Sequence, residues 1–346
     1  MEKRPAMCLE GLDLDDGWKV INRIDPGPLG TGGTFSVGYR VKNQQGLEGF
    51  LKALDFSQAF QSPDVAKALE PMTTAYNFER MLLEKCKNNR LSKISIPIAH
   101  GQVNVPGEFG PLSIVMYLIF EMADGDIRKH YKSSQSIDLA WCLRSLHNTA
   151  VGLRQLHGVG IAHQDLKPSN VLVFKDECRV SDLGRASDRK VPHVNDELQA
   201  AGDTSYMPPE QCYGYLISGE FERRYGIDLY HLGSLIFFYF ADMSATQALK
   251  VKLKGSAGKN IANQNFENDL PYLRQAFFEA VTDLEGNIAK KAGKLTADII
   301  CLVKELCEPD PALRGDPHLR KNNQYELERY ISRLNLLAAK AEYELR

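Results

Sequence analysis

Within His163-Gln164-Asp165-Leu166-Lys167-Pro168-Ser169-Asn170 the chain sets a carboxylate, an ammonium and an amide into six consecutive positions. Those groups suit phosphoryl transfer. A carboxylate at Asp165 can take the proton of an attacking hydroxyl, an ammonium at Lys167 can neutralise phosphate charge, and an amide at Asn170 can hold a divalent cation. The stretch lies between a run of helical periodicity and the apolar run Val171-Leu172-Val173-Phe174.

The elements that must position these residues change character along the chain. From Trp18 to about Glu121 the pattern is mainly of strands: Trp18–Ile21 and Phe35–Val41 alternate, and Asn43-Gln44-Gln45-Gly46 is a turn signal before Gly49–Leu54. Two more strands are expected at Ile94–Ile98, where Pro97 allows an edge strand at best, and at Leu112–Glu121. One helix, from Asp64 to about Lys87, interrupts them. Beyond Asp126 helices dominate, beginning with Asp138–His157, where Leu139, Leu143, Leu146, Ala150, Leu153 and Leu156 share one face. The polar stretch Met243–Asn268 reads as a long surface loop. The tail spaces Leu327, Ile331, Leu334, Ala338, Ala341 and Leu345 along one helical face, which suits a last helix packed on the body or a dimerising coiled coil. A strand-rich front before a helix-rich back indicates an α+β chain with two lobes.

Composition narrows the function classes. A net charge of −2 gives no sign of a nucleic-acid-binding surface. Met1–Leu14 lacks the apolar core of a signal peptide, and the run Leu232–Ala241 is about half of the roughly 20 residues a membrane span needs. Seven cysteines with no C-x-x-C pair read as reduced thiols, each a small buried apolar residue, in a cytoplasmic protein.

The loop His163–Asn170 resembles the catalytic loop H-R-D-L-x-x-x-N of eukaryotic-type (Hanks-type) serine/threonine protein kinases, with Gln164 in place of the arginine. Twelve residues after Asn170, Asp182-Leu183-Gly184 resembles D-F-G. Upstream, Leu29-Gly30-Thr31-Gly32-Gly33-Thr34-Phe35-Ser36-Val37 resembles a degenerate glycine-rich loop, and alone could be an ordinary hairpin. Gly202-Asp203-Thr204-Ser205-Tyr206-Met207-Pro208-Pro209-Glu210 resembles the end of an activation segment, Asp228–Gly233 resembles D-x-W-x-x-G, and Asp310-Pro311-Ala312-Leu313-Arg314 resembles D-P-x-x-R. The match runs from about residue 17 to 318.

The resemblance implies a two-lobed kinase-like fold, with a small antiparallel-sheet lobe carrying one main helix and a mainly helical second lobe. The boundaries expected are 15–121 and 122–320, with a C-terminal helix over 321–346. It implies ATP and Mg²⁺ as cofactors and a protein substrate, with no nucleic acid, no membrane, and a monomer or weak dimer. Asp165 would be the base and Lys167 its serine/threonine-type companion, with Asn170 and Asp182 as metal ligands. Lys52 would grip the α- and β-phosphates, paired with Glu79, or alternatively Glu84, on the next helix. The separation of 27 residues implies an extra helical piece between strand and helix. Gly30, Gly32 and Val37 would cover the phosphates. Around Ile119–Asp126, Glu121 and Ala123 would offer main-chain groups to adenine, and Asp126 would accept from the ribose.

Two departures carry consequences. Phe50 stands where a small residue usually caps the adenine. Gln164 cannot pair with a phosphate as arginine does, and Ser187 is the only hydroxyl in Arg185–Ala201, so activity is expected without activation-loop phosphorylation. A pseudokinase scaffold and a small-molecule kinase of the aminoglycoside type are the alternatives. The intact Lys52, Asp165, Asn170 and Asp182 disfavour the first, and Lys167 with Pro208-Pro209-Glu210 disfavours the second.

Overall fold

The computed structural model describes residues 4–25, 36–107, 109–133, 138–175, 177–192, 202–215, 221–257 and 265–344. They form two compact units, Met1–Asn88 with Ser95–Gly125, and Asn89–Ile94 with Asp126–Arg346.

The first unit is built on β1 (Trp18–Arg23), β2 (Ser36–Asn43), β3 (Glu48–Leu54), β4 (Pro97–Asn104) and β5 (Ile114–Glu121), with helix α1 (Val65–Asn88) between β3 and β4. The sheet order is β1-β2-β3-β5-β4, and every pairing is antiparallel. The β2–β3 turn is set by Asn43, whose side chain accepts from the Leu47 N–H, and by Gly46 at φ 85°. The fourth strand begins at Pro97 rather than at Ile94, and it lies on the sheet edge. Pro97 as its first residue removes no interior ladder bond there.

One sheet face is covered by a segment that periodicity does not reveal. Ala6, Leu9 and Leu14 are buried against Trp18, Val20, Tyr39, Val41, Leu51, Ala53, Val115, Tyr117 and Ile119. The Tyr39 hydroxyl donates to the Ala6 carbonyl (2.7 Å), and Arg4 pairs with Asp55 (2.8 Å), just past the end of β3. Short 3-10 turns at Pro5–Met7 and Asp15–Gly17 carry this cover, and neither is long enough to show a repeat.

The chain passes from one unit to the other within the short strand β6 (Gly125–Asp126). The second unit holds α2 (Ile127–Ser133), α3 (Leu139–Gly158), β7 (Ile161–Ala162), β8 (Val171–Phe174), β9 (Glu177–Val180), β10 (Ser187–Asp188), α4 (Pro209–Cys212), α5 (Glu222–Ala241), α6 (Ala245–Ala257), α7 (Phe266–Ala292), α8 (Thr296–Leu306) and α9 (Glu328–Glu344). Asp138 caps α3 by accepting from the Trp141 N–H. Helix α5 is buried nearly throughout from Tyr225 to Phe240 and forms the centre of the core.

Helix α9 packs on α3 with Leu327, Leu334, Leu337, Ala338 and Ala341 buried, and Arg144 of α3 reaches Glu342 at 2.7 Å. Leu327, Leu334, Ala338 and Ala341 of the stripe are therefore spent inside the unit, Ile331 is half-buried, and Leu345 lies outside the described residues.

The expected loop over Met243–Asn268 is corrected: α6 occupies Ala245–Ala257 and α7 begins at Phe266. Ser244 and Gln247 form a reciprocal capping box, the Gln247 N–H donating to Ser244 Oγ and the Ser244 N–H to Gln247 Oε1. Ala245, Ala248, Leu249 and Leu253 then bury one helical face. The lysines between them are the solvated face of that helix. A second correction concerns the cysteines, since Cys301 is exposed rather than buried. Among the described residues, no helix is long and apolar enough to cross a membrane.

Candidate active site

The loop His163–Asn170 is fixed from below by one carboxylate. Asp228 on α5 accepts the main-chain N–H of His163 (2.9 Å) and of Gln164 (2.7 Å), and bonds His157 Nε2 at 2.8 Å. Burial alone would push this carboxyl up. The hydrogen bond and charge of His157, the charge of His163 and the Gln164 N–H more than offset that and hold it below the usual carboxylate range. These bonds also keep Gln164 in the left-handed region, at φ 60°, which otherwise costs roughly 1–3 kcal/mol.

Asp165 emerges from this base with each oxygen engaged. Oδ1 accepts the main-chain N–H of Asp203 (2.9 Å), and Oδ2 meets Lys167 Nζ at 3.1 Å. Lys167 also lies 3.9 Å from Asp203 Oδ2. Burial pushes the Asp203 carboxyl up, but hydrogen bonds from the Ser205 side chain and N–H, then Lys167, bring it below its ordinary value. The close approach of the 202–205 turn needs Gly202, at φ 92°, where a Cβ would fall 2.6 Å from Asp165 Oδ1.

Asn170 donates its side-chain N–H to the Asp165 carbonyl at 2.8 Å, which fixes the direction of the amide. Its own carbonyl accepts from Ser181 N and Ser181 Oγ, at 2.9 and 3.1 Å. The β8–β9 hairpin, with Val171 paired to Val180, folds the chain back so that Ser181 and then Asp182 return to Asn170. Asp182 is exposed at φ 63° while Leu183 is fully buried, so the turn is anchored by the leucine and presents the carboxylate. Asn170 and Asp182 together offer hard oxygen donors of the kind Mg²⁺ prefers.

In the first unit, Lys52 Nζ bonds both oxygens of Glu79 on α1, at 2.9 and 3.1 Å. Glu79 is buried and Glu84 is exposed, so the first choice of partner holds. The extra helical piece between strand and helix is the 3-10 turn Ser57–Gln61. Val37 requires a correction. It pairs with Ala53, while Gly38 pairs with Lys52, and directly opposed residues share a face. Val37 therefore packs towards the N-terminal cover, on the face opposite Lys52. The register inferred from the glycines is one residue out. Gly30 and Gly32 lie outside the described residues. Phe50 lies on the Lys52 face, where its ring crosses Gly38 so closely that a Cβ there would be 2.8 Å from Phe50 Cε2.

Of the remaining expected residues, Glu121 is exposed and Ala123 half-buried. Asp126 is buried, its Oδ1 accepting the Lys129 N–H at the start of α2 and its Oδ2 facing Arg128. Glu210 and Arg314 form a fully buried two-point pair, at 2.6 and 2.8 Å. Sequence reasoning did not reach Asp203 or His157 as supports of the loop, because both act through contacts made only in the folded chain.

The protein kinase domain family model matches residues 30–325, most of the chain. The chain belongs to the protein kinase family. It is similar to the probable serine/threonine-protein kinase kinX of Dictyostelium discoideum, at 26% identity over 56% of this chain and 17% of that protein. It is also similar to the rhodopsin kinase GRK7 of Sus scrofa (25% identity, 56% of this chain, 33% of the relative) and to an Aurora kinase of Debaryomyces hansenii (28%, 42% and 34%). The chain thus aligns with about a third or less of the length of these relatives.

Proposed function

We propose that this protein kinase transfers the γ-phosphoryl group of ATP to serine or threonine hydroxyls of protein substrates. The observation that carries the reading is the Asp165 carboxylate, held by Asp203 and Lys167 beside an oriented Asn170. The Asp203 N–H on Oδ1 and Lys167 on Oδ2 orient this carboxylate, which takes the hydroxyl proton, with Lys167 also offsetting phosphate charge. Asn170 and Asp182 would hold Mg²⁺, which supplies charge neutralisation on the nucleotide phosphates. Lys52, oriented by Glu79, would bind phosphate oxygens. The serine/threonine assignment rests on Lys167 two positions beyond Asp165 and on the similarity to a probable serine/threonine-protein kinase. The absence of an arginine at Gln164 supports activity without phosphate on the activation segment. Comparing activity before and after phosphatase treatment tests that clause, and a large loss refutes it.

Incubation with labelled ATP and Mg²⁺, wild type beside Asp165→Ala, tests the whole reading. We expect autophosphorylation or transfer to a generic protein by the wild type, reduced about 10²- to 10⁴-fold in the variant. Nucleotide binding without transfer would refute it in favour of a binding module.

A further inference from the structure

Beyond Asp182-Leu183-Gly184 the chain enters β10, where Ser187 lies opposite Ala162 and Asp188 opposite Ile161 on β7. This places Ser187 beside Gln164. The Gln164 side-chain amide donates to Ser187 Oγ at 2.6 Å, with Ser187 wholly buried and Gln164 nearly so. A second tie follows at once. The Arg189 N–H donates to the Gly160 carbonyl, and its guanidinium lies over the rings of Phe221 and Tyr225. Tyr225 stacks on His157, with 3.9 Å between centroids, and His157 bonds the same Asp228 that fixes the Gln164 N–H. The contacts therefore close a ring that returns to the loop bearing Asp165.

We infer that Gln164 and Ser187 are a positioning pair, which ties the segment carrying Asp182 to the loop carrying Asp165 through an uncharged, buried hydrogen bond. The inference rests on the phosphoryl-transfer reading above and deepens it. It says what stands in this chain where a phosphate and a cation could otherwise fix the segment. Ser187 is then no acceptor of regulatory phosphate. An anion at that oxygen would have to sit, desolvated, against a neutral amide.

A double-mutant cycle on kcat tests the pair, using Gln164→Ala, Ser187→Ala and both together, with main-chain hydrogen exchange at 186–189 measured on the same proteins. Each single variant should lower kcat about tenfold, because this buried hydrogen bond is lost, with KM for ATP within about twofold. The double variant should lose no more than the worse single, and exchange at 186–189 should accelerate in all three. Ser187→Asp should lower activity, not raise it. Losses that multiply in the double variant, faster exchange with kcat unchanged, or activation by Ser187→Asp would overturn the assignment. A wild type that transfers no phosphoryl group overturns the underlying reading and with it the catalytic role. The exchange data would still show separately whether the two residues anchor the segment.

Discussion

Replacing Arg314 by leucine removes one half of the buried pair with Glu210 and leaves a carboxylate enclosed by protein. Arg314 has no exposed side-chain surface, and Glu210 almost none. The guanidinium also donates to the Glu308 and Gly226 carbonyls and lies 5.0 Å from the centroid of the Tyr230 ring. Burial disfavours the charged arginine, but Glu210 and then its hydrogen bonds raise the Arg314 pKa above the ordinary value. Breaking one side of such a pair costs about 3–5 kcal/mol, because the remaining charge is left uncompensated. For a unit of this size, about 2–4 °C is lost per kcal/mol, so Tm should fall by about 6–20 °C. The assay is urea and thermal unfolding of Arg314→Leu, Glu210→Leu and the double variant. The double should recover a good part of the loss, since replacing both charges leaves nothing unpaired. A single variant within about 1 kcal/mol of wild type would refute the reasoning, and so would a double variant that sums the two losses.

Two further outcomes follow from the site. Burial pushes the His231 imidazole down to about 4, against the charges of Asp228 and Asp165, so it stays neutral in the folded chain while the unfolded chain takes a proton near pH 6.5. The unfolded state binds more protons across that window, so stability is present above pH 6.5 and is lost as the pH falls towards 4. The loss is about 3 kcal/mol. Urea unfolding at pH 7 and pH 4 should show a loss larger by about 3 kcal/mol in wild type than in His231→Gln, and equal losses in both would count against it. Gly202→Ala would drive a Cβ to 2.6 Å from Asp165 Oδ1 at φ 92°. It should lower kcat about 10- to 100-fold by displacing the carboxylate, and an unchanged kcat would show that Asp165 does not depend on the 202–205 turn.

The residues of the site were legible before the fold because their types are dictated by chemistry and their spacing by short local elements. Asp165, Lys167 and Asn170 sit within one loop, and one hairpin returns Asp182 to it. The antiparallel sheet and the helices α1, α3 and α9 were legible because a repeating buried face leaves a period in the sequence. Helix α6 was read as loop because its lysines and glycine masked the apolar face, and the Ser244–Gln247 box that starts it was passed over. The one-residue error at Val37 has a plain cause. A strand's facing is fixed by the partner it pairs with, and the glycine spacing says nothing about whether Gly38 or Val37 lies opposite Lys52.

By itself, then, the sequence determined the family, the order of its motifs and the class of fold that must carry them. Only tertiary structure decided which contacts hold them in place: Asp203 and Gly202 against Asp165, Asp228 beneath the loop, residues 4–14 over the sheet, and Gln164 against Ser187. Each of these joins groups distant in sequence through a close approach that depends on burial, and a buried hydrogen bond leaves no period for a sequence to display.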